Sequence, residues 1–200
     1  MPLLLISAAN PPPATDYRND FQKSDQGSLP EELLVMNGKF AVVKDGNDKF
    51  LQLPGEPLDT FGFMLGADEN NSIEASIRAT ATGKRFPEFG IGLCGAAGYR
   101  LWLMPATNEL QILKGDNVKT SKPCQWKSAS WLTLRLQLKK ENNKTTLQAK
   151  IWPRGTPEPK DWALTFDDPD TAKPPKGRPS VWGIPYSGTP IDFDDISIAK

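Results

Sequence analysis

The sequence predicts an all-β protein built as an antiparallel β-sandwich, and three observations carry that prediction. Between residues 131 and 166 apolar side chains recur at every second position: Leu132, Leu134, Leu136 and Leu138, then Leu147, Ala149 and Ile151 beyond a polar turn at 139–144, then Trp162, Leu164 and Phe166. A second run, Ile73, Ala75, Ile77, Ala79 and Ala81, alternates as cleanly with Ser72, Glu74, Ser76, Arg78 and Thr80. No segment keeps a convincing helical period; the one weak exception is a single helical turn at 31–36. A period of two with one wet face marks antiparallel strands, because parallel strands are buried on both faces.

Taken in order, residues 1–15 read as a signal-peptide remnant or Pro-rich tail, and 16–200 as a single domain. The run MPLLLISAA has the apolar stretch and small residues of a secretory signal without its basic start, and Pro11, Pro12 and Pro13 then form a stiff linker. It is too short to span a bilayer, and the expected location is extracellular or periplasmic. Phe40 and Val42 pair with residues 49–53 through an Asp45-Gly46 turn. Residues 58–66 and 73–81 follow as strands. Phe89, Ile91 and Leu93 form a hairpin with Tyr99, Leu101 and Leu103; strands at 110–113, from Val118 toward Trp126, and at 181–184 come next. In the last strand the phase slips: Ile191 and Phe193 share one parity and Ile196 and Ile198 the other, so a β-bulge at Asp194 and Asp195 is needed to keep all four inward.

Composition excludes more than it suggests. Twenty-four basic and twenty-four acidic residues cancel, so no net charge draws the chain to nucleic acid or an anionic membrane. There is no histidine, which removes Ser-His-Asp and Cys-His nucleophilic sites, His-ligated zinc and a histidine base. Any catalysis must use carboxylates, Lys, Arg or Tyr. Cys94 and Cys124 allow one disulfide if the chain is exported, or two reduced thiols.

The Pro57-Leu58-Asp59-Thr60-Phe61-Gly62 strand, Gly98-Tyr99-Arg100-Leu101, the Trp152-Pro153-Arg154-Gly155-Thr156-Pro157 connection with Trp162 after it, an early Asp20-Phe21 and a closing Phe193-Asp194-Asp195-Ile196 together resemble the concanavalin A-like jelly-roll superfamily. Within it, the chain is similar to bacterial laminin-G-like or 3-keto-disaccharide-hydrolase-like domains. The resemblance implies two curved sheets with carbohydrate bound on a concave face. It also implies that the first and last strands meet, so that Asp20, Asp194 and Asp195 could share a structural calcium completed by carbonyls and water.

Against that background, Gly90-Ile91-Gly92-Leu93-Cys94-Gly95 matches a dinucleotide fingerprint by letter only, because a strand follows it where a helix is required. A retaining glucanase needs two carboxylates about 5 to 5.5 Å apart, and the Glu-x-Asp-x-x-Glu run that the resemblance implies for it is missing: Glu74 stands alone on its strand. Trp102, Trp131 and Trp152 occupy polar-face slots. Trp102 is a candidate sugar platform, with Arg100, Gln111 and Glu88 as hydroxyl partners, and Trp152 is a further candidate. The expected function is a non-catalytic, exported, carbohydrate-associated module. The alternatives are a glycoside-cleaving enzyme of the 3-keto-disaccharide type and a purely structural interaction domain.

Overall fold

A computed structural model describes residues 15–58, 61–65, 71–170 and 175–200. The signal-like run and the proline linker lie outside the described residues. In chain order the strands are β1 (Thr15–Asn19), β2 (Leu34–Val35), β3 (Ala41–Asp45), β4 (Asp48–Leu53), β5 (Phe61–Met64), β6 (Ser72–Ala79), β7 (Glu88–Leu93) and β8 (Tyr99–Met104). They continue as β9 (Glu109–Lys114), β10 (Asn117–Pro123), β11 (Leu132–Glu141), β12 (Lys144–Pro153), β13 (Leu164–Asp168), β14 (Ser180–Ile184) and β15 (Ile191–Ala199).

Two antiparallel sheets face each other as a jelly-roll β-sandwich. The first runs β13-β12-β11-β6-β15-β4-β3, with β1 also paired to β15; the second runs β10-β9-β8-β7-β14-β5-β2. Alternation decides what lies between them. Ile73, Ala75 and Ile77 of β6 and Leu134 and Leu136 of β11 share one core with Phe89, Ile91 and Leu93 of β7 and Leu101 and Leu103 of β8. Phe40, Phe63 and Phe193 stack edge-on or tilted within it, with ring centroids 5.1 to 6.5 Å apart.

The hairpins are tighter than the polar runs suggested. β11 and β12 pair continuously from Leu132↔Pro153 to Glu141↔Lys144, and only Asn142 and Asn143 make the turn, both at positive φ (49° and 62°). Asparagine tolerates that region, and the resulting twist suits a two-residue hairpin. The expected helical turn at 31–36 is instead a Pro30–Leu33 turn leading into edge strand β2. Trp162 precedes β13 and lies under the Lys150 ammonium, 4.5 Å from its ring centroid.

The bulge in β15 is present. Asp195 has φ 49°, the register against β6 shifts between Asp194 and Ser197, and Ile191, Phe193, Ile196 and Ile198 are all buried. It also divides one edge of β15: Ile191–Phe193 pairs with β4, whereas residues 196–199 pair with β1. A one-residue slip turns every later side chain to the opposite face. Deleting Asp195 should therefore expose Ile196 and Ile198 and abolish cooperative urea unfolding. A deletion variant with an unchanged midpoint would show that the bulge does not set the register.

Candidate functional site

The outer face of the first sheet carries a cleft of about 380 Å³. Its floor follows from pairing. Arg18 of β1 stands opposite Ser197, Ser197 opposite Glu74, and Glu74 opposite Arg135, so four strands contribute one row. The adjacent row sets Asp194, Ser76, Thr133 and Trp152 side by side. Arg154 and Gly155, just past β12, close one end.

Two of the arginines in the cleft are matched by carboxylates. The Arg135 guanidinium holds Glu74 at 2.5 and 2.7 Å and reaches Glu158 at 2.7 Å, and Lys150 shares that Glu158 oxygen at 2.8 Å. Arg154 donates from Nη2 to Asp194 at 2.6 Å and from Nε to Asp195 at 2.8 Å, with Asp48 at 3.7 Å. Ser76 donates to Asp195 at 3.1 Å and lies 3.2 Å from the Thr133 hydroxyl. The Trp131 ring lies between Arg78 and Arg154, at 4.9 and 4.8 Å from their guanidinium carbons, with Phe50 against it at 5.7 Å. Arg78 in turn binds Asp192 at 2.8 Å. Asp194 is 0% exposed, and burial followed by the neighbouring Asp195 carboxylate pushes it up to about 7 against the pull of Arg154. Burial also raises Asp192, against Gln52 and Arg78.

The candidates named from sequence fall on two different faces. Trp102, Arg100, Gln111 and Glu88 do come together, but on the outer face of the second sheet. Trp102 donates to Glu88 at 3.0 Å, and the Arg100 carbon lies 5.7 Å from the Trp102 ring and 5.2 Å from that of Trp182. Arg100 also binds Gly115 O and Asp116, both at 2.7 Å, and Gln111 donates to Glu109 at 2.8 Å. Trp102 is 5% exposed and presents no open ring face. Its cross-strand partner is Gly90, where a Cβ would stand 2.9 Å from the indole, so the ring lies down against the backbone. Trp152 lines the cleft on the first sheet but is also buried, 8% exposed with Arg135 over its ring at 5.9 Å, so it offers the cleft an edge and no open ring face.

The expected calcium ligands do not fit a cation. Arg154 already occupies Asp194 and Asp195, while Asp20 accepts from the Gln22 backbone N–H at 3.2 Å. Among the described residues no group of three or more acids, cysteines or histidines is placed to hold a metal. A disulfide is not formed either, and Cys94 and Cys124 are free thiols. They follow the ends of β7 and β10 that lie at opposite ends of β8, roughly 20 Å apart by strand rise, whereas a bridge needs Cα atoms within about 7 Å.

Sequence reasoning passed over Arg18, Ser76, Thr133, Arg135 and Arg154 as site residues. Alternation had put Ser76, Thr133 and Arg135 on the wet face, and Arg154 sits inside the Trp-Pro-Arg-Gly connection, so the signal was present without the pairing that joins them.

No family model and no curated protein matches the sequence. Among solved structures, the chain is similar to the carbohydrate-binding module CBM66 from Bacillus subtilis at 10% identity and a TM-score of 0.59, covering 84% of this chain and 96% of that one. It is similar to the apo Crh5 transglycosylase at 14% identity and a TM-score of 0.61, over 94% and 88% of the two chains. Lectin II from Ulex europaeus aligns at 10% identity and a TM-score of 0.55, over 93% and 99%. At these identities the likeness establishes the shared fold.

The elevated Asp194 has a consequence for stability. Its folded value of about 7 exceeds the ordinary 3.8, so between those values the native state holds a proton that the unfolded chain has released. Stability from this group is full below about pH 4 and is lost as pH rises through about 7. Relative to Asp194→Asn, the wild-type protein should lose about 2 to 4 kcal/mol over that interval in urea titrations. Parallel curves for the two proteins would mean that Asp194 stays ionised when folded.

Proposed function

We propose that the protein is a carbohydrate-associated β-sandwich module that binds a glycan in the cleft on the outer face of its first sheet. The observation that carries this reading is the cleft itself. It joins hydroxyls of Ser72, Ser76, Thr133 and Ser197 to ion-paired Glu74, Arg135, Arg154 and Asp195, beside the small exposed edge of Trp152. Sugars need such a mixture: fixed donors and acceptors for hydroxyls, and an apolar edge for ring C–H groups. The volume suits a small ligand or a short glycan segment. Fold relatives that include a carbohydrate-binding module and a lectin support the same reading. The proposal extends to an extracellular or periplasmic location, on the strength of the first nine residues alone, and to the laminin-G-like branch of the superfamily, on the strength of the Trp152 connection and the closing Phe193-Asp194-Asp195.

A glycoside-cleaving reading, of the 3-keto-disaccharide hydrolase or transglycosylase kind, has one observation in its favour. Asp194 titrates near neutrality beside a second carboxylate, and such pairs divide acid and base roles. The binding reading is preferred because Asp194 lies beneath the cleft with no exposed surface, and Glu74 and Asp195 are each already engaged by a guanidinium, at 2.5 and 2.8 Å.

Calorimetry against neutral and acidic oligosaccharides separates these readings. Binding should appear at millimolar or lower concentration and weaken about tenfold in Glu74→Gln, the loss of one charge-assisted hydrogen bond, with the thermal midpoint little changed. Absence of binding across the panel would sink the proposal. Release of shortened or 3-keto products that Asp194→Asn abolishes would replace it with the enzymatic reading.

A further inference from the structure

Among the described residues the cleft is lined by three guanidiniums and two carboxylates, Glu74 and Asp195. Two of the three arginines are spent. Arg135 is held by Glu74 and Glu158, and Arg154 by Asp194 and Asp195 with Asp48 behind them. Lys150, which pairs across from Arg135, shares Glu158. Arg18 is different. It is exposed on β1, faces the cleft opposite Ser197, and makes no ion pair or hydrogen bond among the described residues. Its place follows from the β15 bulge, because β1 pairs only with the half of β15 beyond Asp195.

Arg18 therefore offers a planar fork of donors that none of the described residues neutralises, at the edge of a site otherwise built from hydroxyls and matched ion pairs. A carboxylate or sulfate accepts from such a fork through two parallel hydrogen bonds, which a neutral hydroxyl cannot reproduce. We infer that the cleft selects a glycan bearing an anionic group, a uronate carboxylate or a sulfate ester, which Arg18 holds while the hydroxyl-lined floor receives the sugar ring. This inference rests on the glycan reading of the cleft and narrows it to acidic polymers.

The test compares oligosaccharides of polygalacturonate, alginate and glucuronan with the same oligosaccharides after carboxyl reduction, and adds a sulfated galactan oligosaccharide, all by calorimetry. At least one acidic form should bind about fivefold or more tightly than its neutral counterpart, as expected for a partly exposed charged pair, and added salt should erode that margin. Tight binding of the sulfated galactan in place of the uronates would assign the anion as a sulfate ester. Arg18→Gln should abolish the preference and Arg18→Lys should retain part of it, with both variants melting like wild type because Arg18 holds no other group among the described residues. Equal binding of acidic and neutral forms, or a preference that survives Arg18→Gln, would overturn the inference while leaving the glycan site standing. Binding of none of these sugars would overturn both.

Discussion

The structure depends on how β15 reconciles nine residues with two faces. Strict alternation would place Ile191 and Phe193 in the core and leave Ile196 and Ile198 in water, a loss of about 1.5–3 kcal/mol for each misplaced side chain. The bulge at Asp195 removes that conflict and creates another, because Asp194 and Asp195 now sit together on the outer face, one of them fully buried. Two adjacent carboxylates out of water are unfavourable unless a cation and hydrogen bonds compensate them. Arg154 and Ser76 supply that compensation. The Trp-Pro-Arg-Gly connection after β12 is thus fixed by a requirement arising forty residues later, and the cleft is what remains between these obligations.

Strands and their faces were legible because alternation is local: each of the long runs at 73–81, 132–138 and 147–151 reports its own burial. The bulge was legible for the same reason, as a change of parity within eight residues. The cleft was not, because its members come from β1, β6, β11, β12 and β15, and strand order is a property of the whole chain. Arg18 and Glu74 stand in one row only because β1 and β6 take opposite edges of β15. Trp102 shows the opposite failure. Its slot faces outward, as alternation says, yet a facing glycine lets a large ring lie flat and become buried, so an outward slot is not always a wet one.

The two outer faces are built on different physics. On the second sheet, Trp182 and Trp102 alternate with Gly62 and Gly90 across the strands, giving a layer in which rings cover backbone and Arg100 fills the space between them. On the first sheet, long polar side chains stand up and lock one another through ion pairs, leaving a depression. Such a grid holds its donors in fixed directions at little further entropic cost on binding, which favours a ligand rich in hydrogen-bonding groups over an apolar one.

The position of β15 also bears on synthesis. A strand made from residues 191–199 lies inside the first sheet, between β6 on one side and β4 and β1 on the other. Until those residues leave the ribosome, the backbone edges of all three earlier strands lack their partner, and the core lacks Phe193 and three isoleucines. The long sequence separation of these pairings makes their closure slow compared with the local hairpins. The nascent chain therefore carries open, adhesive strand edges until residues 191–199 emerge, and the sandwich closes only once β15 is available to pair.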